Sequence, residues 1–254
     1  MIDDDIRLEL DGAVATIVLN RPDKRNALTL DHLALFHRRL DEGRDARCLV
    51  LRGEGAAFCA GRDLAGVDPA TDDARAVLAD HVNPLCARIA ALDIPVVVAV
   101  QGACLGLGLG LAMAADIVHV ADDAVIGSPF RAIGCVLDSG AHFALAERIG
   151  RHRAAEMIFT GKLISGREAA RLGLVNQAVG RSRLLAGVRA LAADIAAGPS
   201  LAFAESKRIL RLGPDPAAMM QAEAEAQGRV MRSDDAREGI SAFLARRRPH
   251  FTGR

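Results

Sequence analysis

Four glycines, Gly102, Gly106, Gly108 and Gly110, follow the apolar run Ile94-Pro95-Val96-Val97-Val98-Ala99-Val100 and lead into Leu111-Ala112-Met113-Ala114-Ala115. This order reads as a buried strand, a tight turn and a helix start. Free N–H groups and the helix dipole at such a start favour negative charge. Glycines let the backbone come close to a ligand. A turn with close helix–strand packing accounts for the same glycines. Proton transfer asks for a different residue type. Asp138 stands between Gly134-Cys135-Val136-Leu137 and Ser139-Gly140-Ala141. Two plain roles are open to it, pairing with an arginine such as Arg131 and capping the next helix. His142, a turn further on, reads as structural, and His81 lies on a helix ahead of the buried strand. No ligand spacing suggests a metal, and none is expected.

The elements around these residues suit an α/β protein. Ile6–Leu10 and Val14–Leu19 read as strands joined by the Asp11-Gly12 turn. Thr29–Leu40 has helical spacing with Thr29 as N-cap. Cys48–Leu51 is a short buried strand, and Ala74–Leu92 is helical. Ile94–Val100 does not alternate, as in a strand buried on both faces. From residue 141 the pattern is helical, with Ser165-Gly166-Arg167-Glu168 as a capping box. The expected division is an α/β core over 1–185 and a helical C-terminal region over 186–254, with strands and helices alternating in the core.

Composition narrows the function. The 254 residues are 51% hydrophobic and carry 32 basic against 32 acidic residues, so no excess charge attracts nucleic acid. There is no Trp or Tyr, which excludes a tyrosine acid. Cys48, Cys59, Cys86, Cys104 and Cys135 form no CxxC pair and read as small buried hydrophobes in a reducing compartment. The acidic start Met1-Ile2-Asp3-Asp4-Asp5 does not resemble a signal peptide. No apolar run reaches the roughly 18 residues of a transmembrane helix. A cytoplasmic protein is expected.

Three segments resemble the crotonase (enoyl-CoA hydratase/isomerase) superfamily. They are Asn20-Arg21-Pro22-Asp23-Lys24-Arg25-Asn26-Ala27-Leu28, Ala57-Phe58-Cys59-Ala60-Gly61-Arg62-Asp63-Leu64, and Val100-Gln101-Gly102 through Gly110 to Asp116-Ile117. Further matches, Ile133–Asp138, Thr160-Gly161 with Glu168-Ala169 and Gly173-Leu174-Val175-Asn176, and Glu238–Phe243, extend the likeness along nearly the whole chain. The resemblance implies a spiral of ββα units with a C-terminal helical oligomerisation region, in a homotrimer or hexamer. It implies binding of acyl-CoA or enoyl-CoA thioesters, with no resident cofactor, and an enolate held on two backbone N–H groups. Those donors correspond to Arg62 and Leu107. Arg25, Ala27, Ala60, Asp63 and Leu64 correspond to the CoA-lining loops. Arg25 meets a CoA phosphate or is a solvated surface arginine.

The chain departs from the family where water is handled. Hydratases use two glutamates, and the corresponding positions are Gly110 and Phe130, neither of which moves a proton. Asp138 corresponds to the working aspartate of several isomerases and a dehalogenase in the superfamily, with Phe130 and Leu137 in its acyl pocket, where burial would raise its pKa. The 131–140 region and Arg246-Arg247-Arg248-Pro249-His250-Phe251 resemble actinobacterial members without the glutamates, some of which bind acyl-CoA without hydrating it. The expectation is isomerase-like or other Asp138-dependent enolate chemistry in fatty acid metabolism. The alternative is a non-catalytic acyl-CoA carrier.

Overall fold

The computed structural model describes residues 2–253. Its strands are β1 (Ile6–Asp11), β2 (Val14–Leu19), β3 (Cys48–Gly53), β4 (Val96–Val100), β5 (Ala103–Leu105), β6 (Ile117–Ala121), β7 (Val125–Gly127), β8 (Ile164–Ser165) and β9 (Gln177–Val179). The main sheet has the order β1-β2-β3-β4-β6-β9, and β5-β7-β8 form a second, smaller sheet. The β1–β2 hairpin is antiparallel and closes at Asp11↔Val14, with Gly12 at φ 55°. Every later pair in the main sheet is parallel. β4 lies at its centre with all five residues buried, as its non-alternating Val/Ala run requires.

The helices are α1 (Leu30–Glu42), α2 (Ala74–Ala76), α3 (Asn83–Ala91), α4 (Leu107–Met113), α5 (Ala141–Ile149), α6 (Arg151–Thr160), α7 (Gly166–Leu172), α8 (Arg181–Ala196), α9 (Ser200–Leu210), α10 (Pro216–Val230) and α11 (Asp234–Leu244). A π-helical segment, Val77–Val82, joins α2 to α3, so the helix expected over 74–92 is continuous but locally widened. Ser165 caps α7 by accepting from Glu168 N–H at 3.1 Å, while the Glu168 carboxylate pairs with Lys162 instead of closing the box.

The helical reading beyond residue 141 omits β8 and β9. Each has three residues or fewer, too few to show a period of two. α8 crosses the 185/186 boundary and packs on β3, β4 and β6 through Leu184, Val188, Ala192 and Ala196, a stripe repeating every four residues. The helices beyond it bury few apolar side chains. Polar ties hold them: Lys207 Nζ donates to the Ile94 carbonyl at 3.0 Å and to Asp116 at 2.6 Å, and Arg47 donates to Ser200 Oγ at 2.8 Å and the Phe251 carbonyl at 3.2 Å. Phe243 and Leu244 stay 81% and 75% exposed. No single helix among the described residues is long and apolar enough to cross a membrane. α8 and α9 pass that test only as a pair, bent by 107°.

Candidate functional site

Residues 58–60 run beside 101–105: Phe58 N–H donates to the Gln101 carbonyl at 2.7 Å, Cys59 N–H to Ala103 at 2.9 Å, and Leu105 N–H back to Cys59 at 3.0 Å. This ladder brings the backbone entering Arg62 against the first turn of α4. The contact needs glycine on both sides. A Cβ at Gly61 (φ 108°) would lie 3.0 Å from the Leu105 carbonyl oxygen and 3.6 Å from Leu107 N. One at Gly108 would lie 2.3 Å from the Cys59 carbonyl oxygen. Among the described residues, neither the Arg62 nor the Leu107 N–H donates to a protein acceptor. Two unspent amides thus sit side by side. Since α4 is only seven residues long, these local donors matter more than a macrodipole.

Arg62, Leu107, Phe130, Asp138 and Leu64 line one cavity of about 510 Å³. Its far wall is the π-helical segment, through Val77, Leu78 and Val82. The sequence gives no signal for this wall, because a π-turn has the composition of the helix it interrupts. The Arg62 side chain leaves its own neighbour Asp63 and forms a bidentate pair with Asp72 at 2.8 and 2.5 Å. That pair holds the Asp72 carboxyl below the usual carboxylate range.

Asp138 is the other acid on the cavity. Neither plain role holds for it. The N-cap of α5 is Gly140, with no side-chain cap, and only the Asp138 backbone carbonyl accepts from Ala141 N–H, at 3.0 Å. Arg131 donates to the Thr160 carbonyl. Among the described residues the Asp138 carboxyl has one donor, the Ser139 hydroxyl at 2.7 Å. Burial raises its pKa, and the Ser139 hydrogen bond, Arg62 and His142 partly offset that rise. Two carboxyls on one cavity are therefore driven apart, one ionised and paired, the other held toward protonation.

The expected CoA loops come together. Ala60 N–H donates to the Arg25 carbonyl at 2.9 Å, and Arg21 Nη1 reaches the Ala27 carbonyl at 2.5 Å and Asp63 at 3.1 Å. Asp63 also accepts from Ala65 N–H at 3.0 Å, and it organises the loop. The Arg25 side chain is exposed. Asn26, not singled out in the sequence reading, is fully buried. Its Nδ2 donates to the Glu54 and Ala57 carbonyls at 3.0 and 2.8 Å, and its Oδ1 accepts from Arg21 N–H at 2.7 Å, locking the two loops together. Its signal in the sequence was its place in the first family-like segment, as a carboxamide among charged loop residues.

Two expectations need correction. Leu137 does not line the 510 Å³ cavity. It is 4% exposed and faces an adjoining cavity of about 440 Å³ that shares Phe130, Cys135 and Val136 with the first. Cys135 is exposed, unlike the other four cysteines, because the 131–136 segment lies open at the mouth. His81 is exposed and away from the lining. A larger cavity of about 640 Å³, between β1–β2 and Phe251, contains none of the candidate residues. No cluster of three potential metal ligands occurs among the described residues.

The enoyl-CoA hydratase/isomerase family profile matches residues 9–254. A "Probable enoyl-CoA hydratase" of Rhodobacter capsulatus is 40% identical, over 98% of this chain and 98% of its own length. The 1,2-epoxyphenylacetyl-CoA isomerase of Escherichia coli is 33% identical, over 96% and 97% of the two chains. The crystal structure of an enoyl-CoA hydratase from Bacillus anthracis superposes with a TM-score of 0.92 at 29% identity, covering 98% of this chain and all (100%) of that one. In profile, in end-to-end similarity and in fold, the chain belongs to the enoyl-CoA hydratase/isomerase family of the crotonase superfamily.

Proposed function

We propose that the protein binds an enoyl-CoA thioester and shifts its double bond, with Asp138 as the proton carrier. The thioester oxygen rests on the N–H groups of Arg62 and Leu107. The Asp138 carboxylate removes a proton from C2 of a 3-enoyl thioester. The electron pair moves through the carbonyl to give a dienolate whose charge the two amides hold. The same carboxyl returns the proton at C4, leaving a 2-enoyl thioester. Nothing is added or lost, so a single acid–base group is enough.

The observation that carries this reading is the split between the two acids. Asp72 is bound by Arg62, while Asp138 faces the cavity without an ion pair and with its pKa raised. Hydration needs a second carboxyl to handle water. A side chain at Gly110 would run into Ser139, whose Cβ would lie 2.3 Å from the new Cβ, and Phe130 presents a ring beside Gly106. The lone available acid also favours a second reading, a carrier that binds acyl-CoA without turnover. The exposed apolar side chains of α9–α11, Leu210, Phe243 and Leu244 among them, fit a homo-oligomer of this chain. Four buried free thiols fit the cytoplasm.

The test runs crotonyl-CoA hydration, 3-enoyl-CoA isomerisation and octanoyl-CoA calorimetry on one preparation. Isomerisation and binding without hydration is expected. Efficient hydration would overturn the reading, and binding without either reaction would favour the carrier.

A further inference from the structure

Ser139 adjoins the acid and touches the glycine at position 110. It is 5% exposed and holds a left-handed backbone conformation, φ 58°, that a residue with a side chain rarely adopts. Gly110 is what allows this. Any side chain there would take the space of Ser139, since a Cβ at 110 would lie 2.3 Å from Ser139 Cβ and 2.7 Å from its carbonyl oxygen. The Asp138–Ser139 turn therefore sinks into room that the α4 backbone leaves open. Strained, buried backbone beside a working group is commonly retained because it aims that group.

We infer that Ser139 is a positioning residue: packed on Gly110, it holds the Asp138 carboxyl toward the cavity through its hydroxyl. The inference rests on the proposed role of Asp138. The hydroxyl has one proton to give and gives it to Oδ1 at 2.7 Å. Oδ2 is left to exchange a proton with the acyl chain. No other hydrogen-bond donor reaches this carboxyl among the described residues, so loss of the hydroxyl frees the group to rotate. The other groups acting on the acid come from three directions. Arg62, with its partner Asp72, approaches from the 61–73 loop. His142 faces it from α5, and the Cys86 thiol from α3. Cys135 lines the same cavity. None of these replaces a short neutral donor on Oδ1.

Two variants separate aim from folding. Ser139→Ala keeps the Cβ that packs on Gly110 and removes only the hydroxyl. Ser139→Gly removes the hydroxyl while accepting the positive φ. In both, kcat for 3-enoyl-CoA isomerisation should fall about 10- to 100-fold, as for loss of a hydrogen bond to a charged group, with KM within about twofold. The rising limb of the pH–rate profile should move to higher pH, because a hydrogen bond favouring the ionised acid is gone. ¹³C NMR of labelled aspartate, with Asp138 assigned from Asp138→Asn, reads the same titration in the resting protein. An Asp138 titration and kcat unchanged in both variants would overturn the inference. If Asp138→Asn itself keeps wild-type turnover, the role of the acid fails instead, and the carboxyl titration still decides whether Ser139 governs it.

Discussion

The two walls of the cavity are built by opposite means. The wall that would hold negative charge is backbone: the amides of Arg62 and Leu107, fixed by a parallel ladder and by glycines that tolerate no Cβ. The wall that would move a proton is side chain: Asp138 and Ser139 at the end of a segment whose residues 131–136 are all exposed. One wall is rigid and nearly indifferent to side-chain identity at its donors. The other is open and depends on two adjacent residues. Changes in chemistry within one fold should therefore spare the two amide donors and the glycines packed against them, Gly61 and Gly108, because these cannot vary without losing the contact that builds the wall.

Substitutions should expose this contrast. The largest effect is expected for Asp138→Asn, a loss of about 10²–10⁴ in isomerisation rate with octanoyl-CoA affinity nearly unchanged. Steady-state kinetics and calorimetry on one sample measure both. On the backbone wall, Gly108→Ala should destabilise the fold by about 1–3 kcal/mol and weaken binding together with turnover, because its Cβ would meet a backbone carbonyl. Denaturant unfolding gives the first quantity. Gly110→Glu should cost as much and yield no hydratase, since Ser139 occupies the space the new side chain needs. A stable Gly110→Glu that hydrates crotonyl-CoA would erase the distinction between the walls.

Smaller effects sharpen it. Arg25→Ala should weaken CoA esters by about 1 kcal/mol, roughly fivefold, and leave pantetheine thioesters unaffected, if its exposed guanidinium meets a CoA phosphate. Competition binding at two salt concentrations checks this. The smallest effect concerns stability and pH. The Asp138 carboxyl titrates higher in the fold than in the unfolded chain, where carboxyls lie near about 3.9. Folding thus takes up a proton between the two values. The stabilisation from the neutral form is complete below the unfolded value and is lost as pH rises through the folded one. Asp138→Asn should therefore melt slightly higher than wild type at neutral pH, with the gap closing toward about pH 3.9. Thermal melts at both ends of that range would read it.

Legibility followed the same division. The buried β4, the glycine turn after it and the start of the helical region at residue 141 could be read from Val/Ala runs and glycine spacing, and the loops that bring the Arg62 and Leu107 amides together from the family resemblance those motifs carry. Backbone geometry leaves such marks because only glycine fits. The acid wall was legible only as a residue type. Whether Asp138 capped α5, paired with Arg131 or faced a cavity depended on the αL turn at Ser139-Gly140, a conformation that no local pattern announces. The Arg62–Asp72 pair spans ten residues of irregular loop, and the π-helical wall looks like ordinary helix in sequence. Strands β8 and β9 were too short to register.

The most direct test of the account is proton exchange. Saturated octanoyl-CoA incubated with the protein in deuterium oxide and followed by NMR reports enolate formation without a double bond to move. The account predicts exchange at C2 with wild-type protein, and its loss in Asp138→Asn while the ester still binds. Exchange of equal rate in both proteins, or none in wild type with the ester bound, would contradict the claim that Asp138 and the two amides form an enolate together.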